Sequence, residues 1–214
     1  MIVRAVIFDF NGTLSNDEPI LCDIFRELFA DQGKPLSAEE YFDQLAGLSD
    51  PEIVRKWLGP AHPAVDDVIA ERIARYRAAV SDGSTVPETV RQAVRYAAGR
   101  VPVAIVSGAA RAEIEPVLIA AGLASVIQVV VSADDIREGK PDPESYLRAL
   151  ELLDDDIHAG EVIVLEDTEA GIASAKAAGM RCIAVLGTLK PERLAAADEI
   201  VPAIDVALMR RLLG

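Results

Sequence analysis

The chain is poor in the residues that build disulfide frameworks, soft metal sites and aromatic-rich surfaces. Its 214 residues include two cysteines, two histidines and one tryptophan, and aromatic side chains make up 5% of the whole. The two cysteines, Cys22 and Cys182, form neither a disulfide framework nor a metal-ligand spacing. We expect both to be small, buried apolar residues.

Positive charge is also scarce. The 21 Lys and Arg residues are outnumbered by 35 Asp and Glu residues, which gives a formal net charge of −14. This charge argues against nucleic acid and against an anionic membrane as partners, since both would be repelled. A small phosphorylated metabolite is still compatible, because charges beyond about 8 Å are largely screened at physiological salt and a local cation can dominate a pocket.

Long hydrophobic runs are missing as well. No apolar run approaches the ~20 residues that a membrane helix needs, and residues 1–5 lead into a predicted strand without the layout of a signal peptide. The sequence therefore predicts a cytoplasmic protein, and its length suits one domain or one domain with an insertion. It leaves the oligomeric state open.

Apolar, β-branched runs alternate with Ala-rich segments of helical period through most of the chain. This alternation predicts an α/β fold with a doubly wound, parallel, Rossmann-like sheet. The predicted strands are Ile2–Phe8, Val101–Val106, Val126–Val131, Val162–Leu165 and Cys182–Leu186, and the helices that accompany them include Ala110–Ala121, Pro143–Leu153 and Glu169–Ala178.

The stretch between the first strand and the rest of the sheet interrupts this alternation. It reads as successive helices separated by Gly and Pro, and it predicts an inserted helical cap domain over residues 15–85. Residues 1–14 and 86–214 would then form the catalytic core, with the cap over the carboxyl ends of the strands, where open α/β sheets bind ligands. The predicted cap helices are Pro19–Asp31, Ala38–Leu45, Pro51–Leu58 and Ala64–Ser81.

Polar residues follow the predicted strands at one edge of the sheet. Each alone is a weak signal, since an acidic residue at a strand end is often a helix cap and a lysine is usually on the surface. Their order, spacing and shared edge make the set a strong signal for a catalytic site. The set consists of Asp9, Ser107, Gly108, Lys140, Glu166 and Asp167.

These residue types suit phosphoryl chemistry. Asp9, presented by a turn at the end of the first strand, can act as a nucleophile. The hydroxyl of Ser107 and the backbone amide of Gly108 suit a phosphoryl oxygen. Lys140 lies between Gly and Pro just ahead of a helix, and its ammonium group can neutralise developing charge.

Glu166 and Asp167 are adjacent carboxylates at a strand end that faces Asp9. Carboxylate oxygens are the ligands that Mg²⁺ prefers in proteins. The sequence therefore predicts a magnesium site formed with the help of these residues.

Together these motifs resemble those of the haloacid dehalogenase-like hydrolase superfamily, in the branch of phosphoglycolate phosphatase and β-phosphoglucomutase. The run Val164–Ile172 is highly specific for this branch, and the resemblance covers essentially the whole chain. It implies a Mg²⁺-dependent phosphatase of a small phosphomonoester, in which Asp9 attacks phosphorus and water then hydrolyses the aspartyl-phosphate.

The resemblance also implies a division of roles within the site. Mg²⁺ would be held by the Asp9 carboxylate, the backbone carbonyl of Asn11 and Asp167, with Glu166 close by or holding a metal-bound water. The phosphoryl group would be bound by Ser107, the amide of Gly108 and Lys140.

Asn11 departs from the family pattern, in which this position carries the Asp that serves as acid and base. An amide does not exchange a proton near neutral pH, although its NH₂ group can still donate a hydrogen bond. The loss of such catalysis typically costs 10²–10⁴-fold, or roughly 3–5 kcal/mol of barrier. Acyl and aryl phosphates would lose less, because they need little protonation. Asn11-Gly12 is also a pair prone to deamidation, so conversion to Asp is a further hypothesis.

Other interpretations follow from the same departure. One is a non-catalytic or very slow pseudophosphatase that binds a phosphate ester. A phosphoglucomutase-like isomerase is less favoured, because it depends even more on the missing group. A dehalogenase is disfavoured by Glu166 and Asp167, and a phosphonatase would need a cap lysine, for which Lys34 and Lys56 are candidates.

The predicted cap would select the substrate. Asn16, Asp17 and Ser49 are the candidate substrate-selecting residues, since they lie where the chain enters the cap and in its Gly47–Pro51 loop. The acidic pair Asp17-Glu18 favours a substrate that is not highly anionic away from its phosphate.

Overall fold

Six strands form one sheet in the computed structural model, which describes residues 2–214. Their order is β3-β2-β1-β4-β5-β6, and every neighbouring pair is parallel. The predicted doubly wound parallel sheet is therefore confirmed. The strands are β1 Ala5–Phe8, β2 Val103–Val106, β3 Val129–Val131, β4 Val162–Glu166, β5 Arg181–Val185 and β6 Glu199–Val201.

The central position of β1 in the sheet determines where a ligand-binding site can form. From β1 the sheet runs to β2 and β3 on one side and to β4, β5 and β6 on the other. Every residue of β1, β2 and β4 is buried, because helices cover both faces of the sheet. The carboxyl ends of these three strands therefore face the point where the strand order reverses, which is where such sheets bind ligands.

The helices match the predicted segments closely, except at the predicted Ala38–Leu45. There a capping box between Ser37 and Glu40 starts a short α-helix, which a π-helical turn over Tyr41–Leu45 continues. The α-helices are α1 Glu18–Asp31, α2 Ala38–Glu40, α3 Asp50–Leu58, α4 Val65–Val80, α5 Glu88–Ala98, α6 Arg111–Ala120, α7 Glu144–Leu153, α8 Glu169–Ala177 and α9 Val206–Leu213. In the part of the chain that the structure describes, none of them is both long and apolar enough to cross a bilayer.

Helices α1–α4 belong to residues 15–85, the segment that we call the helical insert. The chain leaves the sheet at Ser15 and returns at Thr85, and the two side-chain oxygens are 2.8 Å apart. Within the insert, the Phe25 ring lies 5.4 Å from that of Phe29 and 6.1 Å from that of Tyr41, and these rings belong to the same buried core as the strands of the sheet.

A buried ion cluster joins the insert to the sheet unit. Arg72 of α4 contacts Glu113 of α6 and lies 3.2 Å from Asp50 of α3. Arg72 and Glu113 are 5% and 3% exposed, so neither charge is solvated. Each charge therefore depends on the others for its stabilisation.

We expect Arg72→Met to lower the free energy of unfolding by about 3–5 kcal/mol, because it leaves two carboxylates buried without a counter-ion. Urea denaturation measures this loss. Arg148→Met is the matched control, since Arg148 pairs with Glu151 on the exposed face of α7 and should cost about 1 kcal/mol or less. Equal losses in the two variants would contradict the role assigned to the cluster.

Candidate active site

The carboxyl ends of β1, β2 and β4 bring most of the predicted site residues together. Asp9 follows β1, Ser107 follows β2 and Glu166 is the last residue of β4. Lys140 comes from the turn ahead of α7 and reaches back across the sheet edge to β1 and β4. The predicted convergence of these residues is therefore what the structure describes.

The ammonium group of Lys140 lies between two carboxylates. Its Nζ is 2.5 Å from Asp9 Oδ1 and 2.7 Å from Glu166 Oε1, and it also donates to the carbonyl oxygen of Val106 at 3.3 Å. Burial raises the pKa of Asp9 to about 7, although the charge of Lys140 opposes this rise. Lys140 thus favours the ionised form of Asp9, which is the form that can act as a nucleophile.

Glu166 has donors on both of its oxygens. Oε1 accepts from Lys140 and from Tyr146 Oη, and Oε2 accepts from the Asp167 amide and from the amide and hydroxyl of Thr168. Burial acts to raise the pKa of Glu166, but Lys140 and the hydrogen bonds outweigh it and leave the pKa below its usual value. Gly171 makes room for this arrangement, since a Cβ there would lie 1.7 Å from Oε1.

Asp167 has one oxygen bonded and one without a partner. Oδ1 accepts from Thr13 Oγ1 at 2.8 Å, whereas Oδ2 is buried and has no hydrogen bond to any described residue. Burial raises the pKa of Asp167 well above its usual value, the charges of Asp9 and Glu166 add to the rise, and the nearby Thr188 hydroxyl opposes it. A buried oxygen of this kind is costly unless a cation or donor meets it.

These carboxylates fit a hard divalent cation. Asp9, Glu166 and Asp167 each offer an oxygen within 4.8 Å of the others. Gly12 lies close against them, with φ of +74°, and a Cβ there would be 2.0 Å from Asp167 Oδ2. An all-oxygen donor set with one unsatisfied carboxylate oxygen matches the chemistry of Mg²⁺ sites.

Asn11 lies between the sheet and the insert. Its Oδ1 is 3.4 Å from Ser107 Oγ, and its Nδ2 donates to Asp17 Oδ2 and to Tyr76 Oη, each at 3.0 Å. The side chain of Asn11 therefore contacts both Ser107, a predicted phosphate-binding residue, and the insert.

Gly108, the other predicted phosphate-binding residue after β2, is exposed.

The three candidate substrate-selecting residues have different positions. Asp17 is buried and contacts Asn11. Asn16 is exposed, and its backbone amide donates to the Thr85 carbonyl where the chain returns from the insert. Ser49 is exposed at the start of α3, where its hydroxyl and amide both donate to Glu52. The structure thus brings Asp17 to the site and leaves the side chains of the other two in contact with solvent.

Three further residues of the site were not anticipated. Thr13 follows Gly12 in the turn after the first strand, and this position beside the predicted site residues could have identified it. Tyr146 and Tyr76 contact Glu166 and Asp17 from the helices α7 and α4. In the sequence, each of these tyrosines lies on the apolar face of a helix, where aromatic residues usually pack in the core. The sequence therefore gave no signal that they belong to the site.

Comparisons with known proteins find relatives over most of the chain. Residues 6–185 match the family described as haloacid dehalogenase-like hydrolase. A validoxylamine A 7'-phosphate phosphatase from Streptomyces hygroscopicus subsp. limoneus is 32% identical over 202 residues, which cover 92% of each chain. A plasmid-encoded phosphoglycolate phosphatase from Cupriavidus necator is 30% identical over 94% of this chain and 90% of its own length.

A solved structure shows the same architecture. The crystal structure of CbbY from Rhodobacter sphaeroides in complex with phosphate is 26% identical, has a TM-score of 0.81 and covers 95% of both chains. These comparisons confirm the prediction of a hydrolase of the phosphatase type. They also confirm the predicted likeness to the branch of phosphoglycolate phosphatase and β-phosphoglucomutase. The chain belongs to the haloacid dehalogenase-like hydrolase family.

Proposed function

We propose that the protein is a Mg²⁺-dependent phosphatase that hydrolyses a small phosphomonoester through an aspartyl-phosphate on Asp9. The observation that carries this proposal is the position of Lys140 between Asp9 and Glu166, two carboxylates that lie close to Asp167 with its unpartnered Oδ2. The names of the relatives support it, since one is a phosphatase of validoxylamine A 7'-phosphate and another of phosphoglycolate.

In the proposed reaction, a carboxylate oxygen of Asp9 attacks phosphorus and the ester bond to the leaving oxygen breaks. The departing oxygen takes its proton from solvent. Water then attacks the phosphorus of the aspartyl-phosphate and the bond from phosphorus to the Asp9 oxygen breaks. The protons of the water leave with the inorganic phosphate or pass to solvent, and the Asp9 carboxylate is regenerated. The Ser107 hydroxyl and the Gly108 amide would donate to phosphoryl oxygens. Lys140 would offset the negative charge that the transition state carries on them.

Asp9, the Asn11 carbonyl and Asp167 would hold Mg²⁺. The bound ion would supply positive charge beside the phosphoryl group and Asp9. Glu166 already accepts from Lys140, Tyr146, Thr168 and the Asp167 amide. We therefore assign Glu166 first to the positioning of Lys140, with metal binding through a water molecule as its second role.

Asn11 determines which phosphates the enzyme would turn over well. An amide does not protonate the leaving oxygen, so acyl and aryl phosphates, which leave without much protonation, would be favoured over alkyl phosphates. We also propose that the helical insert is the cap over the site, which fits the contact of Asp17 with Asn11. The expected cytoplasmic location stays a prediction.

Asp9→Asn should abolish Mg²⁺-dependent release of phosphate from p-nitrophenyl phosphate and acetyl phosphate, because the amide is a poor nucleophile. Steady-state assays with and without Mg²⁺ measure this. Asp155→Asn, which changes an exposed carboxylate after α7, should keep the wild-type rate. Phosphate binding without turnover in the wild type would instead indicate the pseudophosphatase.

Mg²⁺ should raise the melting temperature of the wild type, because an ion that binds only the folded state stabilises it. We expect a saturable shift that is lost in Asp167→Asn, which replaces the unpartnered carboxylate oxygen. Differential scanning calorimetry over a Mg²⁺ titration measures the shift. An equal shift in the variant would contradict the assignment of Asp167.

The negative charge of Glu18, at the start of the insert, affects which substrate charge the site accepts. Glu18 is buried, accepts from Tyr41 Oη at 2.8 Å, and adds to the rise of the Asp167 pKa. The nearby Arg72 already pairs with two carboxylates. We therefore propose that, among phosphomonoesters with leaving groups of similar quality, the site prefers those whose body is neutral or basic, such as a sugar or aminocyclitol monophosphate.

A sugar monophosphate should have a kcat/KM at least about tenfold higher than 2-phosphoglycolate, through repulsion of the second anion. Burial raises the pKa of Glu18 to about 7, so its negative charge, and with it this preference, should grow as pH rises from 6 to 8. Both substrates need ionised Asp9, so the effect of Asp9 ionisation cancels in the ratio of the two kcat/KM values. In Glu18→Gln the ratio should be smaller and independent of pH, and an unchanged pH dependence would contradict the role of Glu18.

A further inference from the structure

The amide of Asn11 is oriented from the insert. Asp17 Oδ2 and Tyr76 Oη both accept from its Nδ2 at 3.0 Å and lie 2.5 Å from each other. Two acceptors so close together share one N–H bond of the amide, because the two N–H bonds of an NH₂ group point well apart. The other N–H is not used by this pair, and Oδ1 faces Ser107.

Asp17 determines which way the amide points. Its carboxylate is fully buried and also accepts from the Gly12 backbone amide at 3.2 Å through Oδ1. Turning the Asn11 amide over would place Oδ1 against Asp17 Oδ2, so two acceptors would meet in a buried site. Because unsatisfied buried acceptors are costly, the observed orientation is favoured.

We propose that Asp17 and Tyr76 are positioning residues that fix the Asn11 amide with Oδ1 toward Ser107, and that Asn11 and Asp17 form a matched amide–carboxylate pair. This inference rests on the proposed phosphatase function. Held this way, Oδ1 is an acceptor beside the phosphoryl site, so it can accept a hydrogen bond from the attacking water and orient it while the Ser107 hydroxyl donates to the phosphoryl group. It does so without taking a proton from that water.

The pair explains why a simple replacement of Asn11 would not restore the missing acid. Asn11→Asp would put a second carboxylate about 3 Å from Asp17, where burial already raises the pKa of the Asp17 carboxyl. Two carboxylates this close share one proton, which would lie between residues 11 and 17 and not at the leaving oxygen. Asp17→Asn would remove that conflict. The pair would then again be one carboxylate and one amide, with the two exchanged.

The same contacts oppose deamidation of Asn11. The nitrogen that would attack the side chain is that of Gly12, and its N–H donates to the Ser15 carbonyl at 2.8 Å and to Asp17 Oδ1 at 3.2 Å. Conversion to Asp would also create the conflict with Asp17. We therefore expect intact mass and peptide mapping to show Asn at position 11 in the active protein.

A double-mutant cycle on p-nitrophenyl phosphate turnover tests the pair. Asp17→Asn should lower kcat about tenfold while KM changes less than about twofold, because orientation rather than binding is lost. Asn11→Asp should also lose activity, and Asn11→Asp/Asp17→Asn should exceed the product of the single effects by about tenfold or more. Tyr76→Phe should lose less than Asp17→Asn, since Asp17 still accepts from Asn11. Asp155→Asn should match the wild type.

Two results of the cycle bear on different claims. Additive single effects would overturn the matched pair while leaving the phosphatase intact. Absence of Asp9-dependent turnover in the wild type would defeat the proposed function instead. In that case the orientation of the amide is decided by NMR, which needs no turnover.

The NMR measurement follows the side-chain NH₂ resonances of Asn11, identified by their loss in Asn11→Asp. We expect them to shift in Asp17→Asn, and to a smaller extent in Tyr76→Phe, with the backbone spectrum outside the site unchanged. Resonances of Asn11 that do not move in Asp17→Asn would overturn the proposal. A general structural effect would instead move backbone resonances throughout the fold.

Discussion

The contact of one ammonium group with two buried carboxylates is the constraint on which the site depends. Asp9 and Glu166 stand at the ends of adjacent parallel strands, where their charges would repel across the sheet. Lys140 lies between them and joins β1 and β4 to the turn ahead of α7. Because Lys140, Tyr146 and the Thr168 and Asp167 amides hold Glu166, the ammonium group approaches Asp9 from a fixed direction. Asp9, the proposed nucleophile, is thus positioned by the same contact that offsets its charge.

This contact leaves a surplus of negative charge. Three buried carboxylates lie together, but Lys140 pairs with only two of them. The third is Asp167, whose Oδ2 has no described partner. Burial and two neighbouring charges keep the pKa of Asp167 high, which is the condition that a divalent cation relieves on binding. A phosphoryl group adds further negative charge at the same edge. The side chains are therefore incomplete by themselves, because the lysine leaves two negative charges unbalanced, and one divalent cation would offset those two charges.

Most of the sheet and its catalytic edge could be predicted, because buried parallel strands are continuous apolar runs and their ends meet at one edge. The predicted first strand started too early: Ile2 is 79% exposed and β1 begins at Ala5. The strand β6 was missed because Glu199–Val201 is short and only partly buried. Asp17 was recognised as a candidate, but its contact with Asn11 was not, since Tyr76 reaches both from a helix some sixty residues away. Contacts of that separation leave no periodic signal in the sequence.

The contact between Asp17 and Asn11 changes how the substitution of the family's acid should be understood. Taken alone, Asn11 is a lost proton-transfer group. In the structure it is one half of a pair in which the buried carboxylate lies in the helical insert rather than on the first strand. A carboxylate at both positions would be repulsive, and an amide at both would leave the side chain free to point either way. One of each satisfies the hydrogen bonds and the charge, so the identity of residue 11 and that of residue 17 constrain each other. The insert therefore contributes to this edge of the sheet through the orientation of the residue that follows the first strand.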